Sequence, residues 1–96
     1  MSALELSLPL TDTGRKYGYI VWPKSMDAEV REFLGSADEL TFVVPGGRQR
    51  RCRVDWKHHR ASIGYSVTRG LRPEANRVLL SREGMGRFAI SFVEAS

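Results

Sequence analysis

The sequence predicts a mainly β fold: a small antiparallel β-barrel or rolled sheet of about seven short strands, with one short helix over residues 26–34. Apolar residues alternate with polar ones along most segments, which is the period of a β-strand. Turn-forming residues recur about every eight to twelve residues, a spacing typical of antiparallel sheets. A chain of 96 residues can bury one hydrophobic core but not two, so residues 1–96 are expected to form a single domain.

The first element is a strand in which Leu4, Leu6 and Leu8 alternate with polar residues until Pro9. The sequence TDTG at residues 11–14 has the composition of a turn. A second strand is predicted over residues 17–22, which are rich in aromatic and β-branched residues and precede Pro23.

Both faces of that second strand are apolar. One face carries Tyr17, Tyr19 and Val21, and the other carries Ile20 and Trp22. A strand with two apolar faces lies in the middle of a fold or is covered by a second subunit. We therefore expect a homodimer.

One helix follows, with Ser25 as its expected N-cap and Gly35 as its left-handed C-cap. Acidic residues stand near its first turn, where they interact favourably with the helix dipole. Its apolar stripe consists of Met26, Val30, Phe33 and Leu34. A helix of about nine residues is unstable alone, so we expect it to pack on the sheet.

Three further strands are predicted outside the basic hairpin described next. The first has Leu40, Phe42 and Val44 facing inward and ends at the turn Pro45-Gly46-Gly47. The second covers residues 77–81, and a turn at residues 83–86 leads into the last strand, residues 87–94. The inward residues of the last strand are Phe88, Ile90 and Phe92.

Residues 48–67 are predicted to form a hairpin with one apolar and one cationic face. Cys52, Val54 and Trp56 share a face on the first strand, and Ala61, Ile63, Tyr65 and Val67 share one on the second. A turn centred on His58-His59 would place Trp56 opposite Ala61, Val54 opposite Ile63 and Cys52 opposite Tyr65. On the outer face Arg53 would then lie beside Gly64, and Arg51 beside Ser66.

Charge divides the chain into two unequal halves. Residues 1–47 carry four basic and seven acidic side chains, whereas residues 48–96 carry eleven basic and four acidic ones. Twelve of the fifteen cations are arginine, whose planar fork of donors suits phosphate and carboxylate groups. This distribution indicates a polyanion, an acidic protein surface, or oligomerisation that pairs the two halves.

We predict a non-enzymatic nucleic-acid-binding domain that contacts phosphates through the outer face of the hairpin, and a regulatory role is one interpretation of such a domain. The residues expected to make these contacts are Arg48, Arg51, Arg53, Lys57 and Arg60, with Lys24, Arg69 and Arg72 extending the patch. The alternatives are a protein-interaction or oligomerisation module that docks an acidic partner, and a barrel that binds a nucleotide or another anionic small molecule. No cofactor is expected.

Other candidate sites have simpler structural interpretations. His58 and His59 are adjacent and lack neighbouring ligands, so we expect exposed side chains rather than a metal site. Gly46-Gly47 is interpreted as a hairpin turn rather than a phosphate loop. Cys52 is expected to be a buried thiol. Trp56 is expected in the core, and for Trp22 an exposed or interface position stays open.

Residues 16–44 resemble AbrB-type transcription-factor domains, which have a strand, Pro-Lys, a short helix ending in Leu-Gly, and a strand after an aspartate. The matching positions are Gly18, Ile20, Pro23, Lys24, Val30, Arg31, Leu34, Gly35, Asp38, Leu40 and Phe42. The resemblance implies a dimeric swapped-hairpin barrel in which Lys24 and Arg31 contact DNA. We accordingly expect DNA ahead of RNA as the partner.

Residues 40–67 also resemble the closing strands of PilZ domains, through the run from Arg51 to Trp56 and through Ile63-Gly64. The two sequence elements with which PilZ domains bind a cyclic dinucleotide do not occur in this chain, so no ligand residues are transferred. No apolar run approaches the roughly 20 residues that span a bilayer, and no signal peptide opens the chain. We therefore expect a cytoplasmic protein that does not contact membranes.

Overall fold

A computed structural model describes residues 4–94 of the chain. Its seven strands are β1 (Glu5–Pro9), β2 (Tyr19–Val21), β3 (Glu39–Val43), β4 (Gln49–Asp55), β5 (Arg60–Ser62), β6 (Arg77–Gly84) and β7 (Arg87–Val93). Its α-helices are α1 (Asp12–Tyr17), α2 (Asp27–Leu34) and α3 (Tyr65–Thr68), and a 3₁₀ turn at Lys24–Met26 precedes α2. The mainly β fold predicted from the sequence is confirmed.

The seven strands form one sheet in the order β1-β6-β7-β3-β4-β5-β2. Strands β1 and β2 lie at its two edges, so within residues 4–94 the sheet is rolled rather than closed into a barrel. The neighbouring strands are antiparallel except for β3 and β7, which are parallel. The expectation of a purely antiparallel sheet is thus corrected at one pair, where the β6–β7 hairpin places its second strand beside β3.

The inner face of the sheet and one side of α2 enclose the core. Val30, Phe33 and Leu34 of α2 are buried, and the Phe33 ring lies 5.2 Å from the ring of Phe88 on β7. Strand alternation supplies the rest, because every second residue of β1, β3, β4, β6 and β7 points inward. The buried strand residues include Leu6, Leu8, Leu40, Phe42, Cys52, Val54, Val78, Leu80, Phe88 and Ile90.

The helices differ from the prediction in number and in their caps. Residues 11–14, predicted to form a turn, begin α1, because the Thr11 hydroxyl accepts a hydrogen bond from Gly14 N at 2.9 Å and caps the helix. Tyr17 therefore belongs to α1 and not to a strand. Ser25 does not cap α2, since it lies within the 3₁₀ turn and Met26 occupies the cap position without a side-chain hydrogen bond. Gly35 is the left-handed C-cap, as predicted.

Strand β2 lies at an edge of the sheet, where it pairs with β5 alone among the described strands. Ile20 is buried, while Tyr19 and Val21 are half-buried. Arg60 packs on the Tyr19 ring at 4.6 Å, so part of the second apolar face is covered by the chain's own residues. The apolar pattern of β2 thus loses force as an argument for a dimer, which stays a prediction.

Candidate nucleic-acid interface

The outer face of β4 carries the arginines that the sequence placed there. Arg51 and Arg53 are exposed, and they alternate with the buried residues Cys52 and Val54. In the register of β3 and β4, Arg51 lies opposite Thr41 and Arg53 lies opposite Glu39. The two guanidinium groups therefore emerge on the water-facing side of the sheet, one row apart.

A third arginine reaches the same face from a distant part of the chain. The parallel pairing of β3 with β7 places Arg87 beside Thr41, whose other neighbour is Arg51. Two strand spacings, about 10 Å, separate the Arg51 and Arg87 backbones. We call Arg51, Arg53 and Arg87, with Glu39 between the strands, the arginine face. Arg87 was absent from the sequence prediction, because its outward direction can be inferred from Phe88 but the neighbour of β7 cannot.

Among the described residues, one carboxylate forms an ion pair with one of these three cations, and two more, Asp38 and Asp55, line a pocket together with Arg53. Glu39 Oε1 lies 3.5 Å from Arg51 Nε, and the Arg51 side chain remains 76% exposed. Ion pairs of this kind contribute about 0.2–1 kcal/mol, less than a charge-assisted hydrogen bond to a phosphate. Arg53 and Arg87 have no hydrogen-bond or ion-pair partner for their side chains among residues 4–94. Two of the three guanidinium groups therefore form no ion pair within residues 4–94, although Arg53 has Asp38 and Asp55 nearby.

The remaining residues predicted to bind from the hairpin differ in the exposure and the contacts of their side chains. Arg48 precedes β4 and Lys57 lies in the β4–β5 turn, and both are exposed. Arg60 is half-buried, with its guanidinium over the Tyr19 ring and its Nε 3.9 Å from Asp55 Oδ2. Arg60 consequently has less freedom to meet a ligand than Arg48 or Lys57.

The other predicted cations belong to different elements. Lys24 is exposed on the 3₁₀ turn before α2. Arg69 lines a cleft between α1 and α3, together with Arg15 and Lys16 of α1. Arg72 is exposed in the loop that follows α3. None of the three belongs to the strand rows that assemble the arginine face.

The hairpin itself has a different register from the predicted one. Val54 pairs with Ala61 and Asp55 with Arg60, so the turn is centred between Lys57 and His58, one residue earlier than predicted, and each pairing partner changes by two residues. Strand β5 ends at Ser62, and Tyr65 begins α3 with its side chain 58% exposed. The predicted pairs of Cys52 with Tyr65 and of Arg51 with Ser66 therefore do not form. Ser66 accepts a hydrogen bond from Arg50 instead, at 3.0 Å.

Several arginines hold the fold together and are unavailable for binding. Arg82 donates to the Phe33 carbonyl at the end of α2, with a 2.6 Å distance, and its guanidinium lies 5.0 Å from the Phe33 ring. Arg31 donates to Asp27 at 2.7 Å and lies over the Trp56 ring at 4.6 Å. An arginine count alone thus overstates the free positive charge.

The two histidines make separate carboxylate contacts. His58 is exposed and its Nδ1 lies 2.8 Å from Asp55 Oδ2. His59 is half-buried, contrary to the prediction, with its Nδ1 2.9 Å from Asp27 Oδ1. Hydrogen bonds from Arg31, then His59, then Trp22 hold the pKa of Asp27 well below its usual range. Across residues 4–94 no group of three or more potential ligands is placed to hold a metal ion.

The remaining candidate residues are core or half-buried. Cys52 is buried, and this burial raises the pKa of its thiol. Trp22 is 2% exposed, which settles the position that the sequence left open. Trp56 is half-buried, and its Nε1 donates to the Ala37 carbonyl at 2.9 Å. Neither indole is positioned as an open stacking platform.

Comparisons with protein-family models, with curated proteins and with solved structures found no match to this chain. The resemblances to AbrB-type and PilZ domains therefore stay hypotheses. Among the described helices, none combines the length and the apolar character needed to cross a bilayer.

Proposed function

We propose that this chain is a small cytoplasmic nucleic-acid-binding domain that binds the phosphate backbone of duplex DNA through its arginine face. The strongest support is the placement of Arg51, Arg53 and Arg87 on adjoining rows of one exposed sheet surface, where Arg51 alone forms an ion pair within residues 4–94. Guanidinium groups fit phosphate oxygens in two-pronged hydrogen bonds. Arg48 and Lys57 lie at the two ends of β4 and extend the surface along that strand.

The proposed contact is with phosphates and carries no base recognition, so binding without sequence preference is expected. Six phosphate contacts, from the three face arginines with Arg48, Lys57 and Arg60, would make the logarithm of affinity fall with the logarithm of salt concentration at a slope of roughly −5. Replacing Arg51, Arg53 and Arg87 by glutamine removes three contacts and should reduce the slope to roughly −3.

The experiment is a fluorescence-anisotropy titration of a labelled DNA duplex at several salt concentrations. It compares the native chain with Arg51→Gln/Arg53→Gln/Arg87→Gln and with the charge-reversed pair Arg51→Glu/Arg53→Glu. Arg77→Gln is the control, because Arg77 lies at the far end of β6 and donates to Ser7. An unchanged affinity and slope in the triple variant would exclude the arginine face as the binding surface.

A protein partner is the second candidate, because the outer sheet face continues from the arginines into an apolar patch. Val43 and Ala89 form the next row, with Ser81 beside Ala89 on β6, and Leu79 lies one row further on, beside Ser91; the apolar patch consists of Val43, Leu79 and Ala89. All three are half-buried in the single chain. An acidic protein surface or the acidic half of a second copy, forming a homodimer, would cover both the apolar patch and the arginines. Light scattering at low and high salt tests this: a dimer that dissociates with salt, without DNA binding, favours it.

The third possibility, an anionic small molecule held on the hairpin, has less support from this region. The Gly46-Gly47 turn is exposed and leads into β4 rather than into a helix. Phosphate-binding loops use backbone N–H groups at the start of a helix, and this turn does not provide them.

A further inference from the structure

A cleft of about 610 Å³ opens between α1 and α3, away from the residues of the arginine face. Its walls include Tyr17 at the end of α1 and Tyr65 at the start of α3. Leu71 in the following loop completes one side. The volume falls within the range of pockets that hold small organic ligands.

Two glycines hold the walls of this cleft together. Gly18 ends α1 and Gly64 begins α3, and the Gly18 carbonyl accepts hydrogen bonds from Ile63 N at 2.8 Å and Gly64 N at 3.0 Å. Tyr17 immediately precedes the first glycine and Tyr65 immediately follows the second. The close backbone contact therefore places both tyrosines beside one opening, where they are 53% and 58% exposed.

The two tyrosine rings differ in availability. The Tyr17 ring has neighbours, with Lys16 Nζ 5.3 Å from its centre and the Tyr19 ring at 6.0 Å. No aromatic ring or cation of the described chain lies over the Tyr65 ring. One face of the Tyr65 ring is therefore available to stack on a planar ligand.

The charge of the cleft is entirely positive. Arg15, Lys16 and Arg69 line it, and no carboxylate does. Arg15 donates to the carbonyls of Arg72 and Ala75, which fixes the loop that forms the rear wall. Lys16 and Arg69 have no ion-pair partner among residues 4–94 and remain exposed. They are the two cations free to meet an anion.

We propose that this cleft binds one unpaired nucleotide, with its base stacked on Tyr65 and its phosphate held by Lys16 and Arg69. A free inorganic anion would use the cations but not the exposed ring, and an uncharged apolar ligand would use the ring but not the cations. A nucleotide uses both. The ligand is either a free mononucleotide or an unpaired segment of a nucleic acid, since both present the same base and phosphate.

The surroundings of α3 indicate where a longer single-stranded nucleic acid would continue across the surface. Ser66, the residue after Tyr65, lines a shallow pocket with Arg48 and Arg50. Positive groups therefore lie on both sides of this short helix. The inference does not rest on the arginine face, because none of its three arginines lines the cleft.

The test measures binding of labelled oligothymidylate by fluorescence anisotropy, with uridine monophosphate and inorganic phosphate as competitors. Tyr65→Leu keeps apolar bulk but removes the ring and should weaken oligothymidylate binding by roughly fivefold or more, which is the range that stacking of one base on an aromatic ring contributes in single-strand binding. Tyr65→Phe should bind like the native chain. Lys16→Gln/Arg69→Gln removes the groups that hold one phosphate and should make the salt slope shallower by about 0.7. Arg77→Gln should keep the native affinity and slope.

Each result decides the proposal. Selective weakening in Tyr65→Leu with rescue in Tyr65→Phe supports it, and competition by uridine monophosphate then identifies a free nucleotide as sufficient. If the Tyr65 variants behave as expected but uridine monophosphate does not compete, the ligand is an unpaired segment of a nucleic acid. Native-like binding by Tyr65→Leu, or absence of binding by the native chain, overturns the proposal. Duplex binding should be unaffected by Tyr65→Leu, so failure here is distinct from failure of the arginine face.

Discussion

Gly18 and Gly64 meet backbone to backbone where α1 ends and α3 begins. Both residues have positive φ, 76° and 102°, a region that glycine adopts readily and other residues adopt with strain. A Cβ atom on Gly18 would overlap the Gly64 carbonyl and the Tyr65 amide nitrogen. This contact fixes α1 against α3 and thereby the two walls of the tyrosine cleft.

Gly18→Ala should therefore destabilise the fold by about 3 kcal/mol or more, since strain at positive φ adds to a backbone clash that cannot relax through a side chain. Gly35→Ala is the matched control. Gly35 is also a left-handed helix C-cap, with φ 89°, but a Cβ there would meet nothing within 4 Å. Gly35→Ala should lower the free energy of unfolding by about 1–2 kcal/mol. Urea denaturation of both variants measures the difference, and equal losses would contradict the close contact.

Arg82 and Arg87 stand on either side of one hairpin and should behave in opposite ways. Arg82→Gln loses the hydrogen bond to the Phe33 carbonyl and the contact with the Phe33 ring. It should lower the free energy of unfolding by about 1–3 kcal/mol and leave DNA affinity unchanged. Arg87→Gln should keep stability within about 0.5 kcal/mol and reduce the salt slope by about 0.9. Denaturation and anisotropy on both variants test this, and a shared pattern would refute the division of roles.

Glu39→Gln should strengthen duplex binding. Glu39 lies 3.5 Å from Arg51 and directly opposite Arg53, so its charge opposes the approach of phosphate. Removing one exposed charge at this distance is worth up to about 1 kcal/mol in water, or roughly a fivefold gain in affinity at low salt. The gain should shrink at high salt because of screening. Glu29→Gln, on exposed helix surface, is the control. A loss of affinity in Glu39→Gln would count against the arginine face.

Asp27 should make the fold sensitive to acid. Its folded pKa lies below the unfolded value of about 3.9 because Arg31, His59 and Trp22 donate hydrogen bonds to the carboxylate. The stability from this shift is fully present above the unfolded pKa and is lost as pH falls towards the folded one. The free energy of unfolding should thus begin to fall below about pH 5 and continue to fall below pH 3, and Asp27→Asn should show a smaller fall.

Urea denaturation at a series of pH values measures the acid dependence. Glu29→Gln again serves as the comparison, because Glu29 makes no side-chain hydrogen bond or ion pair within residues 4–94. That variant should retain the native pH dependence. If Asp27→Asn retains it as well, the hydrogen-bonded carboxylate is not the source of the acid sensitivity.

The sequence was a reliable guide to which side of each strand a residue faces. Leu40 and Phe42 on β3, Cys52 and Val54 on β4, and Phe88 on β7 are buried, as predicted. This succeeds because alternation is a local property of extended backbone and needs no knowledge of neighbouring strands. The outward direction of Arg51 and Arg53 follows from the same pattern.

The hairpin register was wrong because side-chain chemistry in the turn moved its centre. Asp55 Oδ1 accepts a hydrogen bond from His58 N at 3.1 Å, and His59 adopts φ 56°. These features form a turn over residues 56–59, flanked by the pair Asp55 and Arg60. The pairing changes by two residues, which keeps Val54 and Ala61 inward and explains why the faces of β4 and β5 were right although the partners were not.

Composition did not distinguish a helix N-cap from a turn, because both use the same residue types. The sequence TDTG is compatible with either, and Thr11 caps a helix here because α1 packs against α3 and β2. Tyr65 fits the alternation of a strand but leaves it, because Gly64 turns the chain at φ 102°. Contacts from other parts of the chain decided both cases.

The sequence by itself determined the strand faces, the helix that covers the core, and the excess of arginine in the second half, since each depends on residues close together along the chain. Only the tertiary structure decided which arginines gather and which are used in packing. Arg87 joins Arg51 because β7 lies parallel to β3, while Arg82, five residues earlier, lies against Phe33. The physical reason is that the order of strands in a sheet follows from burying the whole apolar surface at once, and no single segment specifies it.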